Sequence, residues 1–218
     1  YFNTDSCKVC CANVKSLKLS PEEFLKSDFL QEIRTAFIKG EKHPSCSFCW
    51  KAESLGLQSI RNHQVSSYGN DTTPEIKHLE LRASNLCNFE CRMCNAESSS
   101  LIAGEVRTIS DENFEEILKI SEGLDKLYLT GGEPMLIKHY YTLLDHLIEQ
   151  NKTDMKLMVY TNCSVYNQKF IDRISKFKCI LQLSIDGVRL FAEAQRVGTD
   201  WNVVHGNVMK LISIGLPT

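Results

Sequence analysis

From Ile76 onward, short apolar runs alternate with stretches whose apolar residues recur at helical spacing. The runs Leu79–Ala83, Leu127–Thr130, Leu157–Thr161 and Ile180–Ile185 predict four strands. Each is short and mostly apolar, as expected of strands buried on both faces. The helix predicted after the second strand carries Tyr140, Leu143, Leu144, Leu147 and Ile148 on one side; the one after the third carries Phe170, Ile171 and Ile174. A last helix presents Trp201, Val204, Val208, Leu211 and Ile212, whereas Asp111–Glu116 read as the solvated start of a helix. Repeated strand–helix units predict an α/β fold with a parallel sheet, open or curled into a barrel. Upstream, Ser20-Pro21-Glu22-Glu23 is a capping box with Pro at the first helical position. Leu30, Ile33 and Phe37 continue that helix, and Gly40 stops it. The polar stretch Ser66–Pro74 reads as a linker, which divides the chain into 1–74 and 75–218.

Composition narrows the class. The chain has 218 residues, 43% hydrophobic and 24% charged, the balance of a globular protein able to bury a core. With 25 Lys+Arg against 27 Asp+Glu, it has no electrostatic footprint for nucleic acid or an anionic membrane surface. No apolar run approaches the roughly 18 residues needed to span a bilayer, and no signal peptide opens the chain. The chain opens at Tyr1 rather than Met and stops at Gly215-Leu216-Pro217-Thr218, where another strand is expected, so it reads as a piece of a longer protein. Ten Cys is the anomaly. Without a secretory signal, clustered Cys point to metal rather than to disulfides.

The central cluster is Cys87-Asn88-Phe89-Glu90-Cys91-Arg92-Met93-Cys94, a C-x3-C-x2-C spacing. Three thiolates this close can hold three corners of an iron–sulfur cubane and leave one iron open; a structural zinc knuckle with a borrowed fourth ligand has the same spacing. The other strand ends favour the open cluster. The second strand runs into Gly131-Gly132-Glu133-Pro134, the third into Thr161-Asn162, and the fourth carries Ser184 and Asp186 before Gly187. Functional groups gather at the carboxyl ends of parallel strands, and here every strand ends in polar or small residues.

These motifs, in this order, resemble the radical S-adenosylmethionine (radical SAM) superfamily from about Ile76 to the C-terminus. The resemblance implies a 4Fe-4S cluster on Cys87, Cys91 and Cys94, with SAM chelating the open iron. It also implies that the Gly131, Gly132 and Glu133 segment holds the methionyl ammonium, and that Ser184 and Asp186 contact the ribose or carboxylate end. By the same likeness Asn162 lines the SAM site, Met93 flanks adenine where many members have an aromatic, and Arg196 pairs with SAM's carboxylate. The fold expected is the first four βα units of a partial parallel (β/α) barrel, preceded by a small Cys-rich, partly helical module.

That module contains Cys7-x2-Cys10-Cys11 and Pro44-Ser45-Cys46-Ser47-Phe48-Cys49-Trp50. A C-x2-C pair alone is ambiguous between zinc and iron–sulfur. Beside a radical SAM core, with Glu53, Gly56, Ser59 and Arg61 following, it resembles the auxiliary-cluster modules called twitch or SPASM domains. An auxiliary cluster would then use a subset of Cys7, Cys10, Cys11, Cys46 and Cys49, since adjacent Cys10 and Cys11 do not ligate one cluster equally. Cys163 and Cys179 read as packing, and the six His show no ligand spacing.

The activity implied is reductive cleavage of SAM, with the 5′-deoxyadenosyl radical abstracting hydrogen from a substrate. A peptide or protein side chain is the first expectation and an amino-sugar-like small molecule the alternative. Flavodoxin or ferredoxin is expected as electron donor, and a reducing cytoplasm as the compartment. The competing class is a non-catalytic iron–sulfur or zinc protein for electron transfer or docking. Glu133, Asp186 and Arg196 argue against it, since a carrier has no need of a zwitterion-binding set.

Overall fold

In the computed structural model, which describes residues 1–69 and 73–216, the chain divides into two compact units. One comprises Tyr1 and Asp5–Glu75, the other Phe2–Thr4 and Ile76–Thr218. Chain order begins with two short strands, β1 (Phe2–Asn3) and β2 (Ser6–Cys7), which fall in different units. Four helices follow in the first unit: α1 (Pro21–Lys26), α2 (Asp28–Ile38), α3 (Ser47–Ser54) and α4 (Ile60–Tyr68).

The first unit departs from the sequence reading in two places. The single early helix is broken at Ser27, whose hydroxyl donates to Phe24 O at 2.7 Å and accepts from Leu30 N at 3.3 Å. Ser27 therefore caps α2 with extended backbone (φ −65°, ψ 143°), the competition with the helix that a serine side chain offers. The stretch read as a linker starts inside α4, with Ser66, Ser67 and Tyr68 helical; Asn70, Asp71 and Thr72 lie outside the described residues. Ser66 and Ser67 return their hydroxyls to Asn62 O and His63 O, so polar composition here does not break the helix.

The second unit is the α/β core. Its strands β3 (His78–Leu81), β5 (Lys126–Leu129), β6 (Lys156–Thr161) and β7 (Lys178–Leu183) pair in parallel, in that order, with β1 parallel to β3 on the outer side. Crossover helices connect them: α5 (Ser100–Ala103) and α6 (Asp111–Ser121) after β3, α7 (Lys138–Glu149) after β5, α8 (Gln168–Ile174) after β6. After β7 come α9 (Leu190–Gln195) and α10 (Trp201–Ser213). Two short strands, β4 (Glu90–Cys91) and β8 (Arg196–Val197), form a separate antiparallel pair.

Register places Leu79, Leu127, Leu157 and Cys179 in one row and Leu81, Leu129, Val159 and Leu181 in the next. All eight are buried, and with Phe114, Ile117, Leu143, Leu147, Phe170 and Ile174 they form the core. The opposite face carries Glu80, Tyr128, Met158, Tyr160, Ile180 and Gln182, none of them buried. Continuous burial on both faces is thus corrected to alternating burial; the polar and aromatic residues inside the apolar runs mark the open face. On α10 the buried face is Val204, Asn207 and Leu211, while Ile212 is exposed. Strand β1 adds Phe2 opposite Leu81, a contribution too short to show as periodicity.

Tyr140 of α7 ties the sheet to this helix layer. It is fully buried; its hydroxyl lies 2.6 Å from Thr130 O and 2.9 Å from Leu81 O and accepts the Ala83 N–H at 3.0 Å. Tyr140→Phe leaves that amide without its acceptor and is expected to lower unfolding free energy by about 1–3 kcal/mol. Urea unfolding checks this as a lower midpoint with unchanged slope.

Candidate functional site

The loop after β3 carries Cys87, Cys91 and Cys94, and buried side chains shape it. Asn85, 1% exposed, donates to Ala96 O and Glu105 O and accepts the Arg107 N–H at 2.8 Å. Ser99, fully buried, donates to Phe89 O at 2.7 Å, and Ser100 Oγ accepts the Cys87 N–H at 3.2 Å. Sequence reasoning missed these three. For Ser99 and Ser100 the signal available was the polar run Asn95–Ser100 directly after the third Cys, where a solvated loop would be the ordinary expectation.

The Gly131-Gly132 turn after β5 packs against this loop backbone to backbone. Gly132 N donates to Ser84 O at 3.0 Å and Glu133 N to Leu86 O at 2.8 Å. A Cβ on Gly131 would stand 2.5 Å from Ser84 O, and one on Gly132 would overlap the Leu86 carbonyl. Gly131 also has φ +106°, a conformation side chains rarely adopt.

Glu133 is fully buried, and its carboxylate oxygens accept from Thr161 Oγ1 (2.8 Å), Asn162 N (2.8 Å) and Met135 N (3.3 Å). The side chain ties the end of β5 to the end of β6. Asn162, 8% exposed, then reaches the cysteine loop, with Nδ2 3.2 Å from Asn88 Oδ1 and 3.8 Å from Cys87 Sγ.

The β4–β8 pair sets Arg196 opposite Cys91 in register. Arg196 Nη1 lies 3.9 Å from Cys91 Sγ, and Nε lies 2.7 Å from Asp186 Oδ2. That N–H is not directed at the oxygen, so the contact is ionic rather than a well-formed hydrogen bond. Ser184 N donates to Thr161 O at 2.9 Å, and Met93 is 57% exposed beside Cys94. Strand ends β5, β6 and β7 therefore bring Gly131, Gly132, Glu133, Asn162, Ser184 and Asp186 to the neighbourhood of the cysteine loop. Cys163 is fully buried, with its carbonyl accepting from Asn207 Nδ2 at 2.9 Å, and burial pushes its thiol up to about 12, as it does that of Cys179.

The donor set fits an iron–sulfur cluster. Burial first, then Glu133 and the other two thiols, push Cys87 up to about 11, partly offset by the Phe89 amide. Burial also raises Cys91, and Arg196 opposes the rise. The three sulfurs are thus near enough to repel one another as thiolates, a repulsion that bound iron removes by supplying positive charge. Among the described residues no three His, Cys, Asp or Glu side chains are placed to share one metal ion. A cubane asks for a different arrangement, one thiolate per iron.

In the first unit, Cys10, Cys46 and Cys49 form a second thiol group. Burial, then Cys10 and Cys49, push Cys46 up to about 11, with Arg61 opposing; burial chiefly raises Cys10, which also feels Cys49. Buried Asn13 links the two segments: its side chain donates to Ser45 O at 3.1 Å, and its backbone N–H donates to Cys10 O at the same distance. Glu53 binds Arg61 through two oxygens at 3.0 and 2.7 Å and accepts from Ser59 at 2.5 Å; the Arg61 guanidinium stacks 4.6 Å over the Trp50 ring. Cys7 is buried in β2 with its thiol directed at Leu19 O (3.6 Å), and Cys11 is exposed.

The chain belongs to the radical SAM superfamily, whose family model, described as Radical SAM superfamily, matches residues 81–218. A GTP 3′,8-cyclase from Campylobacter lari is 25% identical over 154 residues, covering 70% of this chain and 44% of that protein. Another, from Campylobacter fetus subsp. fetus, is 31% identical over 100 residues, covering 45% and 30%. Among solved structures, Streptococcus suis SuiB bound to S-adenosylmethionine superposes with a TM-score of 0.52 at 16% identity, covering 93% of this chain and 49% of SuiB. Native anSMEcpe with bound AdoMet gives 0.52 at 21% identity, covering 65% and 42%. At these identities the structural likeness concerns the fold. The chain spans under half the length of each of these relatives. No helix among the described residues is long and apolar enough to cross a membrane.

The buried Glu133 yields a pH prediction. Burial outweighs its three donors and pushes its carboxyl up to about 7 from 4.5. A group held protonated more tightly when folded contributes stability that is complete below its unfolded pKa and lost as pH rises through its folded pKa. Thermal stability of the metal-free protein is expected to fall as pH rises from 4.5 to 7, and Glu133→Gln to flatten that slope. A slope that survives the substitution would assign the titration to another group.

Proposed function

We propose that this chain is the catalytic core of a radical SAM enzyme carrying a second, auxiliary iron–sulfur site of the twitch or SPASM type. The observation that carries the proposal is the convergence of β6 and β8 on the cysteine loop, Asn162 at Cys87 and Arg196 at Cys91. Cys87, Cys91 and Cys94 would hold the 4Fe-4S cluster; Gly131, Gly132, Glu133, Asn162, Ser184, Asp186 and Arg196 would bind SAM, with Met93 beside the adenine. When bound, the cluster supplies the electron that cleaves SAM to methionine and the 5′-deoxyadenosyl radical, which abstracts hydrogen from substrate. The protein's own work is positional. Glu133, held by Thr161, Asn162 and Met135, fixes the turn whose backbone and carboxylate would hold the methionyl ammonium. The Arg196 fork, balanced by Asp186, suits a carboxylate.

Cys10, Cys46 and Cys49 would supply the auxiliary cluster, with Cys7 and Cys11 as spectators. A peptide substrate is supported by neighbours of the same fold whose structures contain the SuiA precursor peptide or the Cp18Cys peptide. The relatives named GTP 3′,8-cyclase keep a small molecule as the competing substrate class. Flavodoxin or ferredoxin would deliver the electron, in a reducing cytoplasm.

Anaerobic reconstitution tests the proposal, with iron, 5′-deoxyadenosine and product quantified in wild type, Cys91→Ala and Cys46→Ala. Cys91→Ala is expected to abolish 5′-deoxyadenosine, because two thiolates do not hold the cubane in a defined orientation. Cys46→Ala is expected to keep SAM cleavage but lose substrate turnover and part of the iron. A fully loaded wild type that binds no SAM would overturn the enzyme reading; equal loss of everything in both variants would make the early cysteines a fold-stabilising site.

A further inference from the structure

Two side-chain donors reach cysteine sulfurs from distant segments of the chain. Asn162 Nδ2 is 3.8 Å from Cys87 Sγ across 75 residues, and Arg196 Nη1 is 3.9 Å from Cys91 Sγ across 105. Both are held from behind. The Asn162 Oδ1 accepts from Ser164 N at 2.8 Å and Ser164 Oγ at 2.6 Å, and its backbone N–H is fixed on Glu133. Arg196 is fixed by the β4–β8 register and by Asp186, and only 17% of its side chain is exposed. Cys94 differs from the other two. Its thiol donates to Asn95 O at 3.7 Å, and among the described residues no side-chain N–H is recorded at its sulfur.

We propose that Asn162 and Arg196 are positioning residues that donate N–H···S hydrogen bonds to the Cys87 and Cys91 thiolates and thereby raise the reduction potential of the cluster, leaving the Cys94 corner unassisted. The inference rests on the reading that these thiolates hold a 4Fe-4S cluster. Reduction adds one electron, and negative charge, to the cluster–thiolate unit. Hydrogen bonds to the sulfurs and a nearby cation stabilise that charge, the lever by which a protein moves an iron–sulfur potential. An amide contributes a dipole; a guanidinium contributes a full charge, moderated here by Asp186. For Arg196 this role is separate from any contact with SAM, because the sulfur contact is present in the protein alone.

The test is a dithionite titration of the reconstituted full-length protein, followed by the electron paramagnetic resonance of the reduced cluster and run without SAM. Asn162→Ala and Arg196→Met are each expected to shift the one-electron equilibrium about tenfold toward the oxidised form, a fall of ~59 mV. Arg196→Lys keeps the charge and is expected to retain part of the wild-type potential. Ser164→Ala removes one of the two donors to Asn162 Oδ1 and leaves the backbone one, and is expected to shift the potential less than Asn162→Ala does. Unchanged potentials in Asn162→Ala and Arg196→Met, with full iron content, would overturn the inference while leaving the cluster reading intact. So would an equal shift in Ser164→Ala, or loss of the cluster from both donor variants, since either means the side chains hold the loop rather than tune it. A wild type that takes up no iron would overturn the cluster reading, and this inference with it.

Discussion

The loop after β3 and the turn after β5 meet backbone against backbone, and the candidate site is built on that contact. Two amides, Gly132 N and Glu133 N, bond to Ser84 O and Leu86 O at the entrance to the cysteine loop. The approach is closer than any side chain permits at either glycine. Once it is made, Glu133 is directed inward, where it collects donors from Thr161, Asn162 and Met135. That buried carboxylate in turn fixes the Asn162 backbone, and so the amide beside Cys87. One close approach thus propagates from β5 through β6 back to the loop it started from.

Burying a carboxylate is costly, and here the cost is met with hydrogen bonds instead of a cation. The raised proton affinity of Glu133 shows that the compensation is incomplete. Arg196 and Asp186 solve the complementary problem at the rim, where partial exposure lets an ion pair stand with less desolvation. The first unit uses an Arg again, with Arg61 clamped by Glu53 and stacked on Trp50 while its charge opposes the rise in Cys46.

The parallel sheet could be read from the chain because its rows of Leu and Val recur between helices with clear apolar faces. Strand limits moved by one or two residues, since Lys126, Lys156 and Lys178 pair in the ladder without looking like strand residues. The cysteine spacing and the Gly131–Glu133 turn stood out because few other uses require such residues in sequence. Glu133's direction did not, because a carboxylate beside a glycine pair looks the same whether it faces solvent or three buried donors. Ser99 and Ser100 were hidden for a related reason: polar residues in a polar run reveal their burial only when the surrounding backbone is known. Which early thiols group together depends on Asn13 and on the turn at Pro44–Cys46, contacts between segments that no spacing encodes.

The two-residue ladder between β4 and β8 joins positions 105 residues apart. Closing so long a loop costs entropy that two strand residues cannot offset alone, so the ladder persists only after β5, β6 and β7 have assembled behind it. A growing chain emerging from the ribosome therefore displays all three thiols of the cysteine loop long before Arg196 has been synthesised. Through that interval the Cys91 thiol is without the guanidinium that stands beside it in the finished fold.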